Sequence, residues 1–156
     1  MHERLRIVNI FLDKRTMGRR SPEVEHDRAV AIFDILEENY FAPTNGELGP
    51  FILHLGIDEN RLIMDVRDES NMEIFDFNLP LSSLRSVIKD YFFICASYYD
   101  AIKAASPSKI EAIDMARRGL HNEGSEILIE RLKKNVTVDF DTARQLFTLI
   151  CVLRTR

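Results

Sequence analysis

Ten consecutive residues in the second half of the chain, RRGLHNEGSE from Arg117 to Glu126, gather side chains able to bind or transform an anion. Ser125 with Glu126 reads as the opening of a helix, whose first N–H groups and positive dipole end attract negative charge. An anion or carboxylate site would then comprise Arg117, Arg118, His121, Asn122 and the backbone at Gly124 and Ser125. In an enzyme, His121 and Glu123 would serve as acid/base while Arg117 and Arg118 clamped an anionic substrate. The spacing of Gly119, Gly124 and Ser125 superficially resembles a nucleotide phosphate loop, but the lysine is missing and a helix, not a strand, precedes it. The plainer account is a helix-to-helix corner in which Gly119 and Gly124 supply positive φ and His121 and Asn122 cap. That account is preferred, because such corners are common.

Further groupings carry weaker chemistry. In RTMGRRSPEVEHD, Arg15, Arg19 and Arg20 precede a helix start and His26 lies one turn beyond its cap. Arginines there can clamp a phosphate, yet pairing with Glu23, Glu25 and Asp27, or a solvated loop, needs no ligand and is preferred. His26 is spaced with Ala29, Val30 and Phe33 and is expected to flank the core. The row Glu23, Asp27, Asp34 and Glu38 reads as a solvated face rather than a metal site. If Ile57 opposes Leu62 across a hairpin, His54 opposes Asp65 on the polar side of a sheet, with Arg67 and Asp76 on that side too. Such a pair can orient a general base, although a cross-strand salt link is preferred. Asp114 with Arg117 and Arg118 reads as a within-helix ion pair. Phe93 falls with Ser86, Lys89, Ser97 and Asp100 on the polar side of a long helix. Exposed, it would mark a contact surface; cover by the C-terminal helix is the expected fate.

The elements that must hold these groups are legible in the apolar spacing. Residues 5 to 13 read as a strand, followed by a basic loop from Lys14 to Arg20. Ser21 is an N-cap with Pro22 at the first helical position, and Ala29, Ile32, Phe33, Leu36 and Tyr40 form that helix's buried stripe. APTNGELGP reads as a loop. FILHLGI, RLIMDVRD and MEIFDFNL alternate as a half-solvated antiparallel meander joined by the turns Asp58 to Arg61 and Glu69 to Asn71. Their inward sets are Phe51, Leu53, Leu55, Ile57; Leu62, Met64, Val66; and Phe75, Phe77, Leu79. A long helix follows from Leu81 to Ala105. Ser106-Pro107 starts a third, ending near Arg118 with Gly119 as the stop, and Ser125 opens a fourth that closes on Lys133 and Lys134. Val136, Val138 and Phe140 alternate as a short strand, and a last helix after Asp141 carries Leu146, Phe147 and Ile150.

Composition bounds the answer. At 156 residues, with 46% apolar and 29% charged residues, the chain reads as one domain over 1–156. A net charge of -4 supplies no global positive field, so nucleic acid is not an expected partner. The apolar runs are too short for a signal peptide or a membrane span, and Cys95 and Cys151 sit in apolar helical patterns as small buried hydrophobes. The expected location is therefore the cytoplasm, and no metal or cofactor is expected.

Four stretches, RRSPEVEHDRAVAIFDILEEN, KDYFFICASYYDAIKAASPSKIEAIDMARRGLHNEGSEIL, ERL and VDFDTARQLFTLICVL, resemble an uncharacterised protein family of the "UPF" type found in alphaproteobacteria. The resemblance implies a bacterial cytosolic protein and carries no catalytic residue, cofactor or partner across. The residues themselves predict an α+β fold: an antiparallel β-meander covered on one face by helices, with a helical C-terminal half. The long helix from Leu81 and the helix after Ser21 are expected to cover the sheet, and the strands at 5 to 13 and at Val136 to join its edge. Because no motif pairs a nucleophile with a base, the preferred function is a non-enzymatic binding or assembly protein. Its partner would be another protein, a second copy of itself or a small anionic ligand.

Overall fold

Ser21 caps the start of the first helix as its residue type predicts: its hydroxyl accepts from the Val24 N–H, and Pro22 takes the first helical position. The computed structural model describes residues 2–13 and 21–154, so Arg15, Arg19 and Arg20 lie outside the described residues. In chain order the elements are β1 (Ile7–Leu12), α1 (Pro22–Glu37), β2 (Phe41–Pro43), β3 (Phe51–Asp58), β4 (Arg61–Arg67), β5 (Glu73–Pro80), α2 (Arg85–Ala104), α3 (Pro107–Leu132), β6 (Val136–Val138) and α4 (Phe140–Arg154). The class is α+β with a helical C-terminal half, as the patterning predicts.

Strands β3, β4 and β5 form the expected meander, and its register sets Ile57 against Leu62 and His54 against Asp65. Glu59 and Asn60 both adopt positive φ, the conformation a two-residue hairpin between right-twisted strands requires. Strand β1 adds to the edge beside β3, running parallel to it in the order β1-β3-β4-β5. Parallel neighbours need a long crossover, and α1 lies within it. Strand β6 does not join this sheet: it pairs antiparallel with β2, which occupies the start of the segment expected to be loop. Both are three residues long, too short to carry a periodicity signal.

Of the two helices expected to cover the sheet, α1 does contact it, along β1, whereas α2 packs chiefly against α3. The place of α2 is taken by α4, which contacts β3 and is flanked by α1 and α3. Leu55, Leu62 and Met64 of the sheet meet Leu128 and Leu132 of α3 and Leu146 and Ile150 of α4 around one small space. Helix α4 buries residues on every side, among them Phe147, Leu149, Ile150 and Leu153, which marks a central helix. Helix α2 has a longer apolar stripe but buries only Val87, Ile88 and Ala101.

The largest correction concerns the 117–126 segment. It contains no corner and no helix N-terminus: α3 runs unbroken through it. Gly119 and Gly124 have no positive φ, and Ser125 is buried with its hydroxyl donating back to the His121 carbonyl at 2.8 Å. Glycine weakens a helix by about 1 kcal/mol relative to alanine, and packing on both sides of the break point outweighs that cost.

Candidate functional site

One face of α3 turns His121 inward, so the ring is only 8% exposed. It meets Tyr91 of α2 at 5.4 Å and Phe147 of α4 at 5.1 Å, both edge-on, and these two rings touch each other at 5.8 Å. His121 Nε2 lies 2.7 Å from Thr148 Oγ1, and the Thr148 hydroxyl donates to the Arg144 carbonyl at 3.3 Å. With the Thr148 hydroxyl donating to Arg144, the Nε2–H tautomer of His121 satisfies this contact. Nδ1 is buried without a partner. Burial, reinforced by the positive charges of Arg144 and Arg117, holds His121 down at about 4, so the ring is neutral at pH 7.

The other residues of the predicted site diverge from it. Arg117 donates to Asp114 Oδ1 at 2.6 Å and lies 4.3 Å over the Tyr98 ring, while Arg118 reaches Asp114 Oδ2 at 2.7 Å. This is the expected within-helix ion pair, and hydrogen bonding from Arg117 holds the Asp114 carboxyl below its ordinary range. Asn122 is bonded to Arg144 of α4. Glu123 is exposed and, two residues from His121, points to another side of the helix, so the two do not form an acid/base pair. Gly124 lies against Phe147. His26, expected beside the core, is exposed, because the face of α1 that buries Ala31 and Ile35 is turned away from it.

On the sheet, His54 and Asp65 are neighbours in register but not partners. His54 Nε2 lies 3.0 Å from Asn71 Oδ1 and the ring stacks on Phe11, while Asp65 Oδ2 accepts from Arg67 at 3.0 Å and 2.7 Å. The expected cross-strand salt link is absent because each side chain finds a better-directed partner along its own side of the sheet. Lys133 pairs with Glu130 at 2.8 Å.

Beside the His121 cluster, a cavity of about 330 Å³ opens between three helices. Helix α1 contributes Val24 and Asp27, α2 contributes Tyr91, Phe92 and Cys95, and α4 contributes Thr148, Cys151, Val152 and Arg154. Thr148 therefore touches both the cavity and His121. Burial raises Asp27 above the usual carboxylate range, opposed by the charges of His26 and Arg117. Burial likewise raises Tyr91, Cys95 and Cys151, so both sulfurs are thiols rather than thiolate nucleophiles. At the rim, Arg154 donates to Asn60 Oδ1 at 2.8 Å. Among the described residues no three His, Cys, Asp or Glu side chains stand together as a metal site, and no helix is long and apolar enough to cross a membrane. Sequence reasoning missed Asp27, Tyr91, Thr148 and Arg154 as one group. The only local signal is a polar atom on an otherwise apolar helical stripe, and three segments far apart in sequence must converge to give it meaning.

A second, wider groove of about 750 Å³ lies on the uncovered face of the sheet, around Phe11, His54, Asp65 and Arg67.

Residues 4–156 match the profile of an uncharacterised protein family, UPF0262. A UPF0262 protein of Paramagnetospirillum magneticum is 55% identical over 156 residues, spanning 100% of this chain and 99% of its own. One from Azorhizobium caulinodans is 58% identical over 151 residues, 95% of this chain and 93% of that protein. One from Bradyrhizobium sp. strain ORS 278 is 56% identical over 149 residues, covering 95% and 89%. No solved structure matches. With the profile spanning almost the whole chain and relatives this similar end to end, the protein belongs to the uncharacterised UPF0262 family.

Proposed function

We propose that this protein is a non-catalytic binding protein of the bacterial cytoplasm, and that the cavity between α1, α2 and α4 receives a small ligand with an apolar body and an anionic head. The observation that carries this reading is the cavity itself: apolar walls supplied by three helices with a few convergent polar groups, at a volume suited to a small molecule. Val24, Tyr91, Phe92 and Val152 would cover the body of the ligand. Arg154, at the rim, is the cationic donor for its head. A binding rather than catalytic role is supported by the separation of His121 from Glu123 and by thiols kept protonated by burial. Free thiols also suit a reducing compartment.

The test is a thermal-shift comparison of 4-phenylbutyrate, 4-phenylbutanol and 4-phenylbutylamine, which share a body and differ in head charge. A ligand at 100 times its dissociation constant stabilises by about 2.7 kcal/mol, which is readily seen. The carboxylate is expected to raise Tm most, Val24→Phe at the rim to abolish the shift, and Arg154→Gln to reduce it to that of the alcohol. A larger shift with the amine would assign the head to Asp27 instead and overturn the anionic ligand. Equal or absent shifts in wild type and Val24→Phe would overturn the cavity as the binding site.

A further inference from the structure

Phe93 is 73% exposed, more than any other large apolar side chain among the described residues. The expected cover by the C-terminal helix does not exist, because α4 is occupied by the sheet, α1 and α3. Phe93 lies on the side of α2 away from Tyr91 and Cys95, so this surface is separate from the cavity and does not depend on its having a ligand. Along the same exposed stripe stand Lys89, one turn before it, and Asp100, two turns after it. Among the described residues neither charge is engaged in an ion pair. Ala96 is exposed between them, and the Ser97 hydroxyl is turned back onto the Phe93 carbonyl at 3.1 Å.

We propose that α2 is a self-association surface on which a second copy of this chain packs antiparallel, Lys89 of each copy meeting Asp100 of the other on either side of the two Phe93 rings. Charge complementarity selects this occupant. A two-fold axis crossing α2 between Ile94 and Cys95 opposes Lys89 to Asp100 and, with no further adjustment, Phe93 to Ala96. The same axis opposes Ser86 to Lys103 and Asp90 to Tyr99, so no like charges face each other. A parallel pairing would instead set Lys89 against Lys89 and Asp100 against Asp100. Lys89 and Asp100 are eleven residues apart, about 16 Å along a helix, so the two ion pairs bracket the aromatic centre without competing for its space. In such an interface the buried aromatic supplies affinity, while the flanking charges set orientation.

Sedimentation velocity of the full chain over about 1 to 500 µM, the range in which a small interface dissociates, tests the proposal. Wild type is expected to form a concentration-dependent dimer. Phe93→Asp should raise the dissociation constant at least about 100-fold, as loss of a central anchor does. Lys89→Asp and Asp100→Lys should each raise it about tenfold, since each turns two attractive contacts per dimer repulsive. The double variant Lys89→Asp/Asp100→Lys restores attraction with the charges exchanged and should return to within about threefold of wild type. Circular-dichroism melts of the same proteins confirm that each monomer is folded. A wild type that stays monomeric throughout, a dimer indifferent to Phe93→Asp, or a double variant no better than its single parents would each overturn the proposal.

Discussion

Gly124 of α3 lies directly against the ring of Phe147 in α4, so close that a Cβ on residue 124 would overlap the ring carbons. The absent side chain is what lets α3 and α4 approach beside His121. Gly119, five residues earlier on the same helix, has nothing within 4 Å of its would-be Cβ. Two glycines that look alike in the sequence therefore do opposite things.

That contrast predicts opposite outcomes for one substitution. Gly119→Ala should stabilise the protein by about 1 kcal/mol, since alanine is the better helix former and meets no neighbour. Gly124→Ala should destabilise it by about 1 to 3 kcal/mol through overpacking against Phe147. Urea denaturation of the two variants measures both. Gly119→Ala proving destabilising would show that the helix is broken there after all.

His121 gives the stability a pH dependence whose sign follows from its depressed value. Its ordinary value is 6.5 and its folded value about 4. Between these limits the unfolded chain binds a proton that the folded chain excludes, so the stability contributed by the neutral ring is present above about pH 6.5 and is lost as pH falls toward 4. The full swing is at most about 3 kcal/mol. His121→Gln should flatten the difference in unfolding free energy between pH 7 and pH 4.5 relative to wild type, measured by denaturant titration at each pH. An unchanged slope would mean that the ring is protonated within the fold.

Asn39 ties the end of α1 to the first strand. Its Oδ1 accepts from the Ile7 N–H at 2.7 Å, and its Nδ2 donates to the carbonyls of Ile7 at 2.9 Å and Ile35 at 2.7 Å. Ile7 is fully buried, so water cannot replace these bonds. Asn39→Ala should cost about 2 to 3 kcal/mol, the range for leaving buried backbone groups unpaired. Asn39→Asp keeps the acceptor and loses both donations, and should destabilise at pH 7 as well. Thermal melts give the order, and a neutral Asn39→Ala would remove Asn39 from the list of structural anchors.

The local elements were legible because short-range physics writes them into the chain. Alternation with period two, two Ser-Pro helix starts and a turn too short for anything but a hairpin placed the meander, the register of His54 against Asp65, and the caps at Ser21 and Ser106. The ion pair of Asp114 with Arg117 and Arg118 followed from helical spacing alone. Tertiary structure decided everything that depends on a partner distant in sequence. Periodicity shows that a helix has an apolar side but not which surface meets it, so α4 rather than α2 covers the sheet and Phe93 is left in solvent. Glycine marks backbone freedom but not whether the freedom is used, so a segment rich in turn residues became the middle of α3, stitched by packing against Phe147. The cavity exists only where α1, α2 and α4 converge, and no window of adjacent residues contains that convergence.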